Sequence, residues 1–180
     1  MIKNLFCILL LISISQCKPK VDYTPIQFPG KPQIPSSIKK THEYLLEQIH
    51  KMTSYNDSCG RVAIKIEEVM QHHFKEEEDI ILPMLGLLPS LANGQMPEES
   101  KDIILLSEKV KPMMNHMSAE HQLLKVYLEE LKQASDSDSR PEIIEFENEV
   151  SKHAISEEEV YFPTSILIGE YLKLKSVIKK

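Results

Sequence analysis

Apolar residues return every three or four positions in four stretches of the chain, the spacing that puts them on one side of an α-helix. The first stretch follows Pro35, where Ser36 or Ser37 can cap a helix that carries Ile38, Tyr44, Leu45, Ile49 and Met52. The second runs from about 60 to 82, with Val62, Ile66, Val69, Met70, Phe74 and Ile81 on its inner side. "LPMLGLLPSLANGQMP" then reads as a connection, because prolines and glycines interrupt the period. The third extends from near Glu98 to about 134, with Pro112 expected to break or kink it, and carries Met113, Met117, Leu124, Tyr127, Leu128 and Leu131. After the polar loop "QASDSDSRP", the fourth covers about 141–162 with Ile143, Phe146 and Val150. Four helices with one apolar stripe each predict an all-α fold, an antiparallel up-down-up-down four-helix bundle.

Polar residues interrupt these stripes at matched places. "HHFKEEEDIILP" (72–83) and "KHAISEEEVYFP" (152–163) align with His73 on His153, Glu77 on Glu157 and Pro83 on Pro163. His42 precedes His73 by 31 residues, and His121 precedes His153 by 32. Each half is then a helix with one stripe histidine, a turn, and a helix with H-x-x-x-E. Two such hairpins related by a pseudo-twofold axis would place all six residues around one centre.

The chemistry follows from the spacing. Residues four apart on a helix lie about 40° apart around its axis and about 6 Å along it, so each His–Glu pair points one way. Two ionised carboxylates in an apolar core are costly unless positive charge meets them. A pair of divalent ions would supply that charge, each held by two imidazoles and by bridging carboxylates, with a position left open. Imidazole and carboxylate donors suit Fe, Mn or Zn. The metal ligands are thus expected to be His42, His73, Glu77, His121, His153 and Glu157. His72 and Glu76 are also four apart, but the alignment favours His73 and Glu77. His50, His72 and His116 are expected at the surface or behind the ligands. Glu76, Glu78, Glu158 and Glu159 are expected on a solvated face, and the run "PMMNHM" in the core.

Composition narrows the partners and the compartment. The chain has 180 residues, 42% hydrophobic and 6% aromatic, enough for one domain with a core. A formal net charge of −6 offers no basic footprint for nucleic acid. At the N-terminus, Lys3 precedes the apolar run "LFCILLLISIS", which is too short to span a bilayer and reads as a signal peptide over 1–16. Cys17 stands where a bacterial lipoprotein would be cleaved and lipidated, although Gln16 departs from the small residue usual there; plain secretion or an uncleaved anchor are the alternatives. Residues 17–35 carry five prolines and read as an extended tether without a core of its own, reaching about 55 Å at ~3.1 Å per residue. The domain is expected over 36–175. Cys59 is the only cysteine left in such a mature chain, so no internal disulfide forms; it reads as a small residue near a helix start. These features predict an exported protein, anchored to a membrane through lipid on Cys17 and facing the periplasm or cell surface.

His42, "HHFKEEEDIILP", "MSAEHQLL" and "KHAISEEEVYFP" together resemble the hemerythrin-like, or HHE cation-binding, domain. The resemblance covers about residues 36–175. It implies a four-helix bundle around a non-haem di-iron centre, with two iron ions held by the six residues named. Oxygen-carrying hemerythrins have two histidines four apart in the third helix; here Met117 stands four before His121. The pattern is closer to the four-His, two-Glu site of the repair-of-iron-centres proteins, which act against nitrosative and oxidative stress. This chain lacks their cysteine-bearing N-terminal domain, and it reads as exported whereas the clusters they repair are cytoplasmic. The resemblance implies a protein that binds iron and interacts with O2, NO or peroxide in stress defence or iron handling. A di-iron enzyme reducing peroxide or NO, and a metal-free helical interaction module, are the competing readings.

Overall fold

A computed structural model describes residues 32–98, 100–135 and 140–178, all helix, turn or extended connection with no strand among them. The residues read as a signal peptide, Cys17 and the tether residues before Pro32 lie outside the described residues. Among those described, no helix is long and apolar enough to cross a membrane.

Helix α1 spans Ser36–Thr53 and α2 spans Ser58–Glu76. Ser36 and Ser37 do not cap α1 as expected; they lie inside its first turn, and Pro35 takes the cap position without a side-chain bond. The start of α2 is capped by Asp57, whose carboxylate accepts from the backbone N–H groups of Cys59 and Gly60. After a short α3 (Leu88–Ala92), α4 spans Ser100–Ala134, α5 Pro141–Ser156 and α6 Phe162–Ile178. Pro112 lies within α4 without ending it, so the expected break is absent. Pro141 opens α5, where a missing N–H costs nothing.

The bundle is built from two antiparallel hairpins, α1 with α2 and α4 with α5, closed by contacts of α2 with α4 and α1 with α5. The hairpins match in a way that apolar spacing does not show. Both α2 and α5 pass into a π-helical turn at their ligand-motif glutamate, Glu77–Ile81 and Glu157–Tyr161. In each, the backbone N–H five residues after the glutamate closes the ring: Leu82 donates to the Glu77 carbonyl and Phe162 to the Glu157 carbonyl. Pro83 and Pro163 follow immediately. A proline ring collides with the carbonyl four residues back in a regular α-helix, and a widened turn relieves that collision.

The region read as a plain connection is more structured. Leu82–Leu87 form a 3-10 turn whose Leu82, Pro83, Met84 and Leu85 are buried. The last tether residues also dock: Ile34 packs on the core, and Gly86 lies so close to the Gln33 backbone that any Cβ would strike its carbonyl. Helix α6 packs along α4, with Gly169 against the Ser107 side chain. Ser165 donates to the Ile81 carbonyl at 3.0 Å, tying α6 to the end of the first π turn.

Apolar side chains gather in two clusters along the bundle. One lies toward the hairpin turns and includes Leu45, Ile49, Ile66, Met70, Leu131 and Phe146. The other lies toward α6 and includes Ile81, Met84, Leu106, Val110, Met113 and Leu172. Cys59 is buried in the first cluster and Met117 in the second, as their positions predict. Tyr44, expected in the stripe of α1, is instead exposed.

Candidate metal centre

Between the two apolar clusters, His42, His73, Glu77, His121, His153 and Glu157 are all buried and come together. His42, Glu77, His153 and Glu157 form one group of donor atoms, and His73, Glu77, His121 and Glu157 a second; within each, the donors lie within 4.8 Å of one another. The two glutamates belong to both groups. This is the arrangement expected from the doubled pattern, with a histidine from each of the four helices and the glutamates at the π turns.

Carboxylates outside the cluster hold three of the four rings. His42 Nδ1 lies 2.9 Å from Glu78, His73 Nδ1 2.8 Å from Glu120, and His121 Nδ1 2.8 Å from Glu158. A carboxylate accepts, so each Nδ1 donates and each Nε2 is left to face inward. Ring stacking adds to the positioning: His42 lies flat on Phe74 at 3.9 Å between centroids, and His121 on Phe162 at 6.0 Å. Glu78 and Glu158 therefore do not merely form a solvated face, as expected; they orient ligand-type imidazoles. Glu159 is exposed, whereas Glu76 is nearly buried, against expectation. Glu120 was the least visible of the ring partners in sequence. Its signals are adjacency to His121 and H-x-x-x-E spacing from His116, yet the ligand-type ring it holds is His73. Glu78 and Glu158 could have been found, because they follow Glu77 and Glu157 at matched positions in the repeat.

The inward atoms lack what buried polar atoms require. His42 Nε2, His153 Nε2, both oxygens of Glu77 and one of Glu157 are buried without a hydrogen bond. His153 Nε2 is only 2.7 Å from Glu157 Oε1, yet it is not aligned for one. His73 Nε2 and His121 Nε2 face each other at 2.9 Å. With both Nδ1 atoms donating, two neutral imidazoles would oppose lone pairs there, so a proton or a cation belongs between them. Most native proteins leave few such groups unsatisfied, and a cluster of them marks a place for an ion.

Protonation shows how the cluster balances its charge without a metal. Burial pushes His73 down, but Glu120 and Glu77 more than offset it and raise the imidazole from 6.5 to about 10. His42 and His121 are also raised, against burial, by Glu157 and their Nδ1 carboxylates. The two glutamates separate. Burial and the neighbouring Glu157 charge push Glu77 up, while the surrounding imidazoles hold Glu157 well below the usual carboxylate range despite its burial. Such divergence at a buried cluster is a mark of functional sites.

Met117 is buried in the apolar cluster beside the site, and His116 does not enter the site. His116 instead lies 3.0 Å from Glu76, with His72 and Glu120 nearby. His50 is on the surface, paired with Glu67.

A waist of histidines and glutamates buried in a four-helix bundle defines a class of metal-binding helical proteins. The model of the hemerythrin HHE cation-binding domain matches residues 33–165, and the chain belongs to that family. No curated protein and no solved structure gave a significant match.

Proposed function

We propose that the protein is a non-haem di-iron protein. His42 and His153 would hold one iron and His73 and His121 the other, with Glu77 and Glu157 common to both donor groups. The observation that carries this reading is the convergence of buried imidazoles and carboxylates from four helices, with five of their atoms lacking a hydrogen bond. Hard carboxylate and borderline imidazole donors, without a thiolate, favour iron, with Mn or Zn as the other ions that suit them. Bound iron would supply electron transfer to and from small oxidants. The chain's own residues bind and orient: Glu78, Glu120 and Glu158 hold ring tautomers, while Phe74 and Phe162 fix ring planes.

The reacting partner is a diatomic molecule or peroxide. A void of about 10 Å³ touches His73, His121, His153 and Glu157 and is otherwise walled by apolar side chains such as Met70, Leu124 and Val150. That is room for about one water-sized ligand. An outer groove of about 200 Å³ between α4 and α5 shares His121, Leu124, Val150 and Ala154 with its walls. The role that fits is stress defence or iron handling. The apolar N-terminal run and Cys17 support a role outside the inner membrane, with the domain tethered through lipid on Cys17.

The test is anaerobic loading of chelator-stripped protein with ferrous iron, followed by elemental analysis after passage over a chelating resin. Two irons per chain are expected; one or none would exclude the paired centre. Turnover with peroxide or NO under reductant then separates an enzyme from a binding protein.

A further inference from the structure

Helices α2 and α4 carry a second His/Glu cluster on their outer side. His72 and Glu76 are four apart on α2, and His116 and Glu120 are four apart on α4. Both pairs are H-x-x-x-E, and α2 and α4 pack together. The α2 pair is shifted by one residue from the buried His73 and Glu77, which rotates it about 100° around the helix, out of the bundle core. One donor atom from each of the four residues lies within 4.8 Å of the others.

The separations favour a shared centre over simple pairing. His72 Nε2 is 3.5 Å from Glu76 and His72 Nδ1 is 3.3 Å from Glu120. His116 Nε2 is 3.0 Å from Glu76 and 3.4 Å from Glu120. Three of these four exceed the usual hydrogen-bond length. One donor from each residue, His72 Nδ1, Glu120 Oε1, His116 Nε2 and Glu76 Oε2, gives edges of 3.3, 3.4 and 3.0 Å, close to the ~3.4 Å between donors placed tetrahedrally around an ion at ~2.0–2.1 Å. Two carboxylates also balance a divalent charge. Glu76 is only 9% exposed at its side chain, an unfavourable place for a carboxylate unless positive charge is close. His72, at 60%, leaves the cluster open to solvent.

We propose that His72, Glu76, His116 and Glu120 form a third metal site, holding one exchangeable divalent transition ion at the surface. Glu120 connects it to the buried cluster. Its Oε1 faces His72 and His116, and its Oε2 accepts from His73 Nδ1. A cation on Oε1 would draw on the same carboxylate whose Oε2 orients the His73 ring. Occupancy outside and affinity inside are therefore linked, and by reciprocity the buried ions change the affinity of the outer one. An ion captured by exposed His72 stands one carboxylate away from a ligand-type imidazole, which is the geometry of a loading station.

Equilibrium dialysis of the full chain against excess Co²⁺ without oxygen tests this. Three Co²⁺ per chain are expected for the wild-type protein and two for the His72→Ala/His116→Ala variant, whose changed residues are exposed enough to leave the fold intact. Glu120→Gln is expected to lower the affinity for the third ion at least tenfold, with helicity by circular dichroism unchanged. Equal Co²⁺ counts in the wild type and the double variant would overturn the proposal. The outcome is separable from the paired-iron reading. If the buried cluster held fewer ions, both counts would fall together and the one-ion difference between them would remain.

Discussion

At His73 one imidazole takes a proton when no cation is held and must release it when one is, because only the neutral ring is a ligand. Its raised value of about 10 makes this visible at neutral pH. Metal loading at pH 7 is expected to release protons, read by titration calorimetry in two buffers of different ionisation enthalpy; identical heats would show that His73 is already neutral. The sign for folding is set the same way. A histidine raised from 6.5 to about 10 contributes its stability in full below pH 6.5 and loses it as the pH rises through 10. Chelator-stripped protein is therefore expected to lose on the order of a few kcal/mol between pH 6.5 and 9.5 in denaturant melts, a loss that His73→Gln reduces, the remainder coming from His42 and His121. Register is checked by substitution. His73→Ala and Glu77→Ala are expected to empty the buried centre, whereas His72→Ala and Glu76→Ala leave its two ions in place. Elemental analysis after a chelating resin reads the difference, and equal losses would mean that the helix is rotated from the geometry described. All six of these buried residues were legible in the sequence because they are written twice at matched spacing. The carboxylates behind them were less so. A glutamate on an acidic helix looks the same whether it meets water or an imidazole from the next helix, and only the packing of α2 on α4 distinguishes Glu120.

Elements show a similar division. The four helices follow from apolar period, which reports the buried side of a helix directly. The π turns do not, since a five-residue widening leaves the period of the flanking turns intact. Their trace in the sequence is Pro83 and Pro163, each six residues after a ligand-type glutamate. Read as alignment marks, these prolines located the repeat; read sterically, they also account for the wide turns before them. Pro112 taught the opposite lesson, because α4 continues through it, supported by neighbours on both sides. Helix α6 starts at Phe162 and runs outside the four apolar stripes. What places it is a contact, Gly169 on Ser107, where an added Cβ would lie within bonding range of the serine side chain. Gly169→Ala is expected to cost about 1–3 kcal/mol of stability. Adding Ser107→Gly should return much of that loss in urea melts, less the penalty of a helical glycine. A double variant no more stable than Gly169→Ala alone would show that this crossing does not determine how α6 packs.

On the scale of the whole molecule, the missing fifth histidine bears on reactivity. Met117 stands buried where the resemblance to oxygen carriers would require an imidazole, and His116 is engaged with Glu76. The two halves of the centre thus have matching donor sets. Reduced, iron-loaded protein exposed to O2 is expected to oxidise and to stay oxidised after the gas is removed; a spectrum that returns fully to the reduced form would place it among reversible carriers. The architecture around that centre has another outcome. The titratable waist separates two dry compartments, one closed by the hairpin turns and one by α6. Ions gripped from all four helices would rivet these compartments into one cooperative unit, and without ions the junction rests on protonated imidazoles, their carboxylate partners and ring stacking. Calorimetry should then record a single sharp transition for loaded protein and a broad or double one for stripped protein. In hydrogen exchange the amides around Glu77 and Glu157 should be the first of the buried ones to open. Read this way, the heat-absorption profile of the chain becomes a gauge of its metal load.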